Sequence, residues 1–303
     1  MTAISFILAG MLAAATPFLL AALGELVAER SGVLNLGVEG MMALGAAVGF
    51  ITVYSGGGHV MGFVFAGLSG SALALVFAFV TLGLHANQVA AGLAIGILGL
   101  GLSAYFGKPF ESFTVTGVGK IGINGLVDLP VIGGLFRQDI VVWLSLIFAP
   151  LMFYTLKNTK LGLVLRAVGE NPEAADAIGY PVTLIRLCAV AFGGLMAGVA
   201  GAYASTIYTP LWADGMIAGR GWIAVALVVY GTWMVGRVFV GACLFGAVSL
   251  GGIAAQTVGL AIPSQLLASL PYVVTIIVLG IISSNRRLLQ LNGIKSLGEV
   301  FEK

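Results

Sequence analysis

Long apolar runs, broken by short polar or glycine-rich stretches, set the pattern of this chain. A helix needs about 20 apolar residues to cross a bilayer. Runs near that length recur at 5–27, 36–54, 60–84, 88–106, 140–156, 183–208, 238–257 and 266–282, with a shorter one at 222–234. They are continuous, unlike the alternating segments of about ten residues in a β-barrel. The pattern therefore predicts an all-α polytopic integral membrane protein of about nine transmembrane helices. The run at 222–234 is marginal and could be a re-entrant half-helix, which leaves eight to ten spans open. Gly56-Gly57-Gly58-His59 reads as a turn between the second and third runs, and Pro150 as a kink in the fifth. The connection 107–138, rich in Gly and Thr, predicts turns or short extended pieces.

One polar interruption has a structure of its own. Residues 161–181, LGLVLRAVGENPEAADAIGYP, carry the full grammar of a short helix. Asn171 is a good N-cap, and Pro172 fits the first helical position, where its missing N–H is no loss. Glu173 and Asp176 lie near the positive end of the helix dipole. Gly179 can take the left-handed position after the helix, and Pro181 forbids continuation. The spacing predicts about two turns over 172–178. A self-contained helix between two spans is placed either to meet something outside the membrane or only to cover the end of the bundle.

Composition agrees with the pattern. The chain has 303 residues, 59% hydrophobic and 9% charged, against about 25% charged for a soluble domain. It reads as a single transmembrane domain, 1–303, with a polar loop at 157–182 and a polar tail at 283–303. The net charge of +2 gives no basis for a nucleic-acid partner, but its distribution fixes an orientation. With the first span starting outside, Arg30, Lys157, Lys160, Arg166, Arg186, Arg237, Arg286, Arg287, Lys295 and Lys303 face the cytoplasm. Lys108, Lys120, Arg137 and Arg220 then face out, which is 10 against 4 of the 14 basic residues. The positive-inside rule thus puts the N-terminus outside, and the C-terminus and the capped helix in the cytoplasm. No Lys or Arg precedes Arg30, so the basic start of a signal peptide is not expected.

Small-xxx-small pairs such as Gly45/Gly49, Gly92/Gly96 and Gly194/Gly198 predict close helix packing. Cys188 and Cys243 fall in apolar runs and read as small buried hydrophobes. His59 and His85 have no ligand-spaced neighbours. Glu25, Glu29 and Arg30 read as the polar end of the first span, and Glu39 as the one acid deep in a span. An ionisable or amide side chain inside a span usually faces a partner or a wet cavity. Asn35 and Glu39, four apart, are expected on one face of the second run. With Asn87 and Gln88, which open the fourth run, they are the candidate translocation pathway. The competing reading is that these four groups pair within the bundle and lock it. Phe18, Phe50 and Trp222 could stack on a base but fit core or interfacial positions as well.

Catalytic patterns are poor. There is no phosphate-binding Gly-x-x-x-x-Gly-Lys-Ser/Thr loop, no nucleophile elbow, no zinc-binding His-Glu-x-x-His and no Cys cluster. Gly117, Gly119 and Gly122 match the dinucleotide spacing, but no strand precedes them and no helix pattern follows. No catalytic residues, metal or cofactor are expected.

Several stretches together resemble the permease subunits of bacterial ABC importers, in the branched-chain amino acid and ribose permease superfamily. The likeness is greatest to its nucleoside and simple-sugar branch. They are GELVAERSGVLNLGVEGMMALGA (24–46), ANQVAAGLAI (86–95), TKLGLVLRAVGENPEAADAIGYPV (159–182), GRGWIAVALVVYGTW (219–233) and LPYVVTIIVL (270–279). The resemblance implies the ABC importer permease fold in the bacterial cytoplasmic (inner) membrane. It also implies a second permease subunit, as heterodimer or homodimer, a separate cytoplasmic ATPase and an extracytoplasmic substrate-binding protein. Within it, Glu170, Asn171, Pro172, Glu173, Ala174, Ala175, Asp176, Ala177, Ile178 and Gly179 match the coupling helix that fits the ATPase. The substrate class it implies is a nucleoside or simple sugar. An ion-coupled secondary transporter of a small polar solute is the alternative from another class, and would call for a membrane-embedded acid pair and inverted repeats. A membrane-embedded enzyme is disfavoured by the missing catalytic constellation.

Overall fold

A computed structural model describes residues 3–127, 129, 132–257, isolated positions between 266 and 280, 293–299 and 301. The ninth apolar run, 266–282, and the basic pair Arg286 and Arg287 lie largely or wholly outside the described residues. Ten helices carry the described fold: α1 (Ala3–Arg30), α2 (Val38–Thr52), α3 (Gly58–Ala78), α4 (Gln88–Gly107), α5 (Ile140–Asn158), α6 (Lys160–Glu170), α7 (Pro172–Ala177), α8 (Val182–Tyr203), α9 (Arg220–Tyr230) and α10 (Val235–Thr257). Among the described residues five helical stretches are long and apolar enough to cross a membrane: Ile7–Arg30, Val38–Gly83, Gln88–Phe110, Ile140–Asn158 and Val182–Tyr208. Arg220–Tyr230 and Val235–Gly251 are shorter apolar helices.

The stretch Val38–Gly83 is two antiparallel helices. Gly56 (φ +88°) and Gly58 (φ +72°) take backbone conformations that L side chains resist, and they reverse the chain where the sequence predicts a turn. Beyond the turn, a Cβ on Gly49 would lie 3.4 Å from that of Ala66. The bundle is built around α8, which packs on α1, α2 and α3. These helices come together through glycine, as the small-xxx-small pairs predict. A Cβ on Gly45 would fall 2.4 Å from Gly198 Cα, and one on Gly198 would fall 2.0 Å from Ala66 O. Gly194 meets Gly70 and Ala74 in the same way, and Gly92 meets Leu36. Two hydroxyls stitch these seams: Ser103 donates to Ala43 O and Ser205 to Ala46 O, each at 2.8 Å. α5 keeps its helix through Pro150. Cys188 is exposed on α8, and Cys243 is half-buried, so Cys188 is not the buried hydrophobe the sequence suggests.

Contacts sort the connections to two ends. At one end His59 meets Thr116 O, Val115 N donates to Pro210 O, and Gln138 donates to Ala9 O. The connection 107–138 lies there, as short turns and a two-residue antiparallel pairing, Ile121–Gly122 with Arg137–Gln138. At the other end Arg30 bonds Trp233 O, Arg186 bonds Ser31 O, and Lys295 pairs with Glu170. α10 runs antiparallel to α1, with Gly246 against Met11 and Ala15 and Phe18 against Phe245. The seventh run is short, as the sequence allows. Residues 209–219 return from the first end without a helix, and the eleven residues of α9 finish the path to Trp233 at the second.

Candidate functional site

Two places concentrate polar groups: the α6–α7 loop with the segment that clamps it, and a buried layer where α1, α2 and α9 meet. The loop comes first. Asn171 Oδ1 accepts from Ala174 N at 2.9 Å, and Pro172 takes the first helical position. Gly179 has φ +93°, Gly179 N donates to Asp176 O, and Tyr180 N to Ala175 O. This pair of reversed bonds is a Schellman closure, so both stops lie where the sequence puts them. Ala175 is the buried face of α7; it packs with Val168 of α6 and Val182 of α8, against Ile185 and Phe301. The other faces are open, with Glu173 and Ala174 exposed and Ile178 73% exposed.

The loop is clamped from behind by residues 293–299 and Phe301. Ser296 Oγ donates to Gly169 O at 2.7 Å, and Gly298 N donates to Gly32 O. Arg186 is 1% exposed and gathers three elements: its guanidinium donates to Ser31 O, Ser296 Oγ and Glu299 O. Lys295 and Glu170 form an ion pair at 2.5 Å. A Cβ on Gly169 would stand 2.2 Å from Arg30 O, so only glycine lets α6 lie this close to α1. α6, α7, the C-terminal end of α1 and the N-terminal end of α8 therefore form one tied unit.

In the buried layer the four candidate pathway residues have different surroundings. Asn35 is not on α2, which begins three residues later, so the same-face argument from helical spacing does not hold. It sits in the preceding turn, where Oδ1 accepts from Gly37 N and its own N–H donates to Glu25 Oε1. Glu39 opens α2, and its carboxylate accepts from Gly219 N at 2.6 Å and Gly221 N at 2.7 Å, the first N–H groups of α9. Gly221 is forced: a Cβ there would lie 2.5 Å from Glu39 Cα. Gln88 Oε1 accepts from Leu34 N, and its Nε2 donates to Glu299 O. Asn87 is exposed and caps α4 by accepting from Ala90 N. The structure brings Asn35, Glu39 and Gln88 to the start of α2, and places Asn87 at the rim.

Glu39 is not the sole acid buried at a helix seam. Glu25 and Glu29 are both fully buried, where the sequence suggests a polar span end. Glu25 accepts from Asn35 N and Glu29 from Trp233 Nε1, while Glu25 Oε2 and Glu29 Oε1 have no hydrogen-bond partner among the described residues. Their i, i+4 spacing puts them on one face of α1. The signal that could have found them is that spacing with Arg30 directly after it; the acceptors' partners come from distant parts of the chain.

The sequence that builds this bundle matches a known family over most of its length. A family model described as "Branched-chain amino acid transport system / permease component" matches residues 7–282, and the chain belongs to this family. Relatives are similar over nearly the whole length. TsgC13 of Haloferax volcanii, provisionally named a glucose ABC transporter permease protein, is 41% identical over 88% of each chain. The nucleoside ABC transporter permease protein NupC of Lactococcus lactis is 31% identical over 92% of each. The guanosine ABC transporter permease protein NupQ of Bacillus subtilis is 32% identical over 91% of each. Family and branch are those that residues 24–46 and 159–182 point to, and the family consists of permease components, not enzymes.

Proposed function

We propose that this chain, as one transmembrane domain over 1–303, is the permease subunit of an ATP-driven ABC importer for a nucleoside or a simple sugar. The observation that carries this is α7: an exposed helix, stopped at both ends and tied through Ala175, Gly169 and residues 293–299 to the bundle. A helix held this rigidly can move the inner ends of α1 and α8 when a partner moves it. In this reading residues 170–179 fit a cleft of a separate cytoplasmic ATPase, which hydrolyses ATP. A second permease, the same or a different chain, completes the pathway, and an extracytoplasmic binding protein delivers the substrate. The protein sits in the cytoplasmic membrane with the α6–α7 end inside. The grouping of Arg30, Lys157, Arg166, Arg186, Arg237 and Lys295 at that end supports this orientation, with Lys108 and Arg137 at the other. The ninth span expected at 266–282 is part of this reading. Asn35, Glu39 and Gln88 belong to the gate at the inner mouth of the pathway, with Asn87 at its rim.

Glu173→Arg tests the reading. Glu173 is exposed, so the variant inserts normally; stimulated ATP hydrolysis and uptake should fall together. Normal uptake by Glu173→Arg would leave α7 as a cover for the bundle end. Ligand-induced stabilisation of the partner binding protein separates nucleosides from sugars. The buried pair Glu25 and Glu29 favours one other reading, an ion-coupled transporter. Uptake that collapses with a protonophore but survives ATP depletion would establish that reading instead.

A further inference from the structure

We infer that this protein holds an anionic glycerophospholipid in a furrow between α5 and α10, with the lipid's phosphate on Arg30, Lys157 and Arg166. The furrow is a cavity of about 370 Å³ whose walls are apolar: Leu146, Pro150 and Phe153 of α5 face Val235, Gly236 and Phe239 of α10. Gly236 leaves its floor open, since a Cβ there would meet nothing within 4 Å. A second cavity, of about 190 Å³, shares Phe153 and Val235 with the first. It lies at the end of the bundle that carries α6 and α7, and its walls include Arg30, Lys157 and Arg166. The two cavities, joined at Phe153 and Val235, therefore lead from hydrocarbon to three cations along about the last four turns of α5.

The charges are placed for an incoming anion. Arg30 spends one N–H on Trp233 O at 2.7 Å, and Arg166 spends two on Gly162 O and Lys157 O. A guanidinium has five donors, so each keeps several. The Lys157 ammonium lies 5.2 Å from the centre of the Phe153 ring, which lines both cavities. Glu170, on α6, is paired with Lys295, and Glu29, the chain neighbour of Arg30, accepts from Trp233 Nε1. No carboxylate pairs with Arg30, Lys157 or Arg166 among the described ion pairs. Three cations beside an apolar slot in the bilayer plane match a molecule that has both a phosphate and acyl chains. Basic pockets between spans on the cytoplasmic side are where such head groups bind. A soluble phosphate would use the cations and leave the furrow empty. The inference needs only the bilayer and is independent of ATP coupling.

The test uses the full-length chain in a non-ionic detergent, with native mass spectrometry and thermal melting after addition of phosphatidylglycerol, phosphatidylcholine or inorganic phosphate. At roughly fivefold per cation, phosphatidylglycerol should be retained on the order of tenfold to a hundredfold over phosphatidylcholine, less so at high salt. Lys157→Gln with Arg166→Gln should remove most of that preference. Gly236→Trp, which fills the furrow and leaves every charge, should lower retention of both lipids. Equal retention of the two lipids by the native chain would overturn the proposal. So would unchanged phosphatidylglycerol binding in both variants, or stabilisation by inorganic phosphate that matches the lipid's.

Discussion

Replacing Glu39 should loosen the seam between α2 and α9 more than any other single change in the buried layer. Its two oxygens accept from Gly219 N and Gly221 N at 2.6 and 2.7 Å, and Glu39 is 5% exposed. These N–H groups begin α9, so no backbone carbonyl of that helix can replace the lost acceptor. The carboxylate also faces the positive end of the α9 dipole. A hydrogen bond to a charged group contributes about 1.5–3 kcal/mol. Glu39→Ala removes two and strands both donors, about 3–6 kcal/mol in all. Glu39→Gln keeps one acceptor oxygen and turns an amide N–H toward the other donor, so about half of that is lost. At roughly 2 °C per kcal/mol, the alanine variant should melt about 6–12 °C lower in detergent, with glutamine between it and the native chain. Hydrogen exchange locates the effect: the Gly219 and Gly221 amides should lose protection in both variants, while α3 and α4 keep theirs. A Glu39→Ala chain that melts at the native temperature with those two amides still protected would refute the reasoning.

Three further outcomes follow from described contacts. Gly198→Val should prevent assembly of the bundle, because a Cβ there already falls 2.0 Å from Ala66 O; a normally folded, monodisperse variant would contradict the packing. Arg186→Gln removes the guanidinium that gathers Ser31, Ser296 and Glu299, and should make residues 293–301 sensitive to protease while the spans stay intact; unchanged cleavage would show the clamp holds without it. In a background lacking Cys188 and Cys243, Asn35→Cys and Glu39→Cys should react with a water-soluble thiol reagent at rates that substrate or nucleotide changes. If both stay unreactive in every state while Glu39→Gln transports normally, they only lock the bundle.

Features set by a few neighbouring residues are legible in the sequence itself. The cap at Asn171, the stop at Gly179 and the reversal at Gly56–Gly58 are of this kind, and each is where the pattern puts it. The glycine seams are legible as pairs, though not which helix meets which. What the sequence hides is depth. Glu25 and Glu29 look like a span end because Arg30 follows them. Both are buried: Trp233, about two hundred positions later, bonds Glu29, and the turn at Asn35 bonds Glu25. Asn35 is misjudged for a related reason: helical spacing says nothing of where α2 begins, and that start is set by Gly37, Asn35 and a turn that Glu25 holds from below. The short α9 is legible in length, but its two anchoring bonds to Glu39 span some 180 positions.

The clamp behind α7 also fixes an order in time. Gly169 and Ser296, bonded directly, are 127 residues apart. When α6 and α7 are synthesised, the partners of Glu170 and Gly169 do not yet exist, and Arg186 lacks its acceptors at Ser296 and Glu299. Local capping lets α7 form as a helix at once, and Val168 and Val182 seat Ala175 soon after, but the clamp behind the loop waits until Lys295, Ser296 and Glu299 leave the ribosome. Any partner that recognises the clamped helix therefore discriminates, with no further device, between a chain that has been made through residue 299 and one that has not.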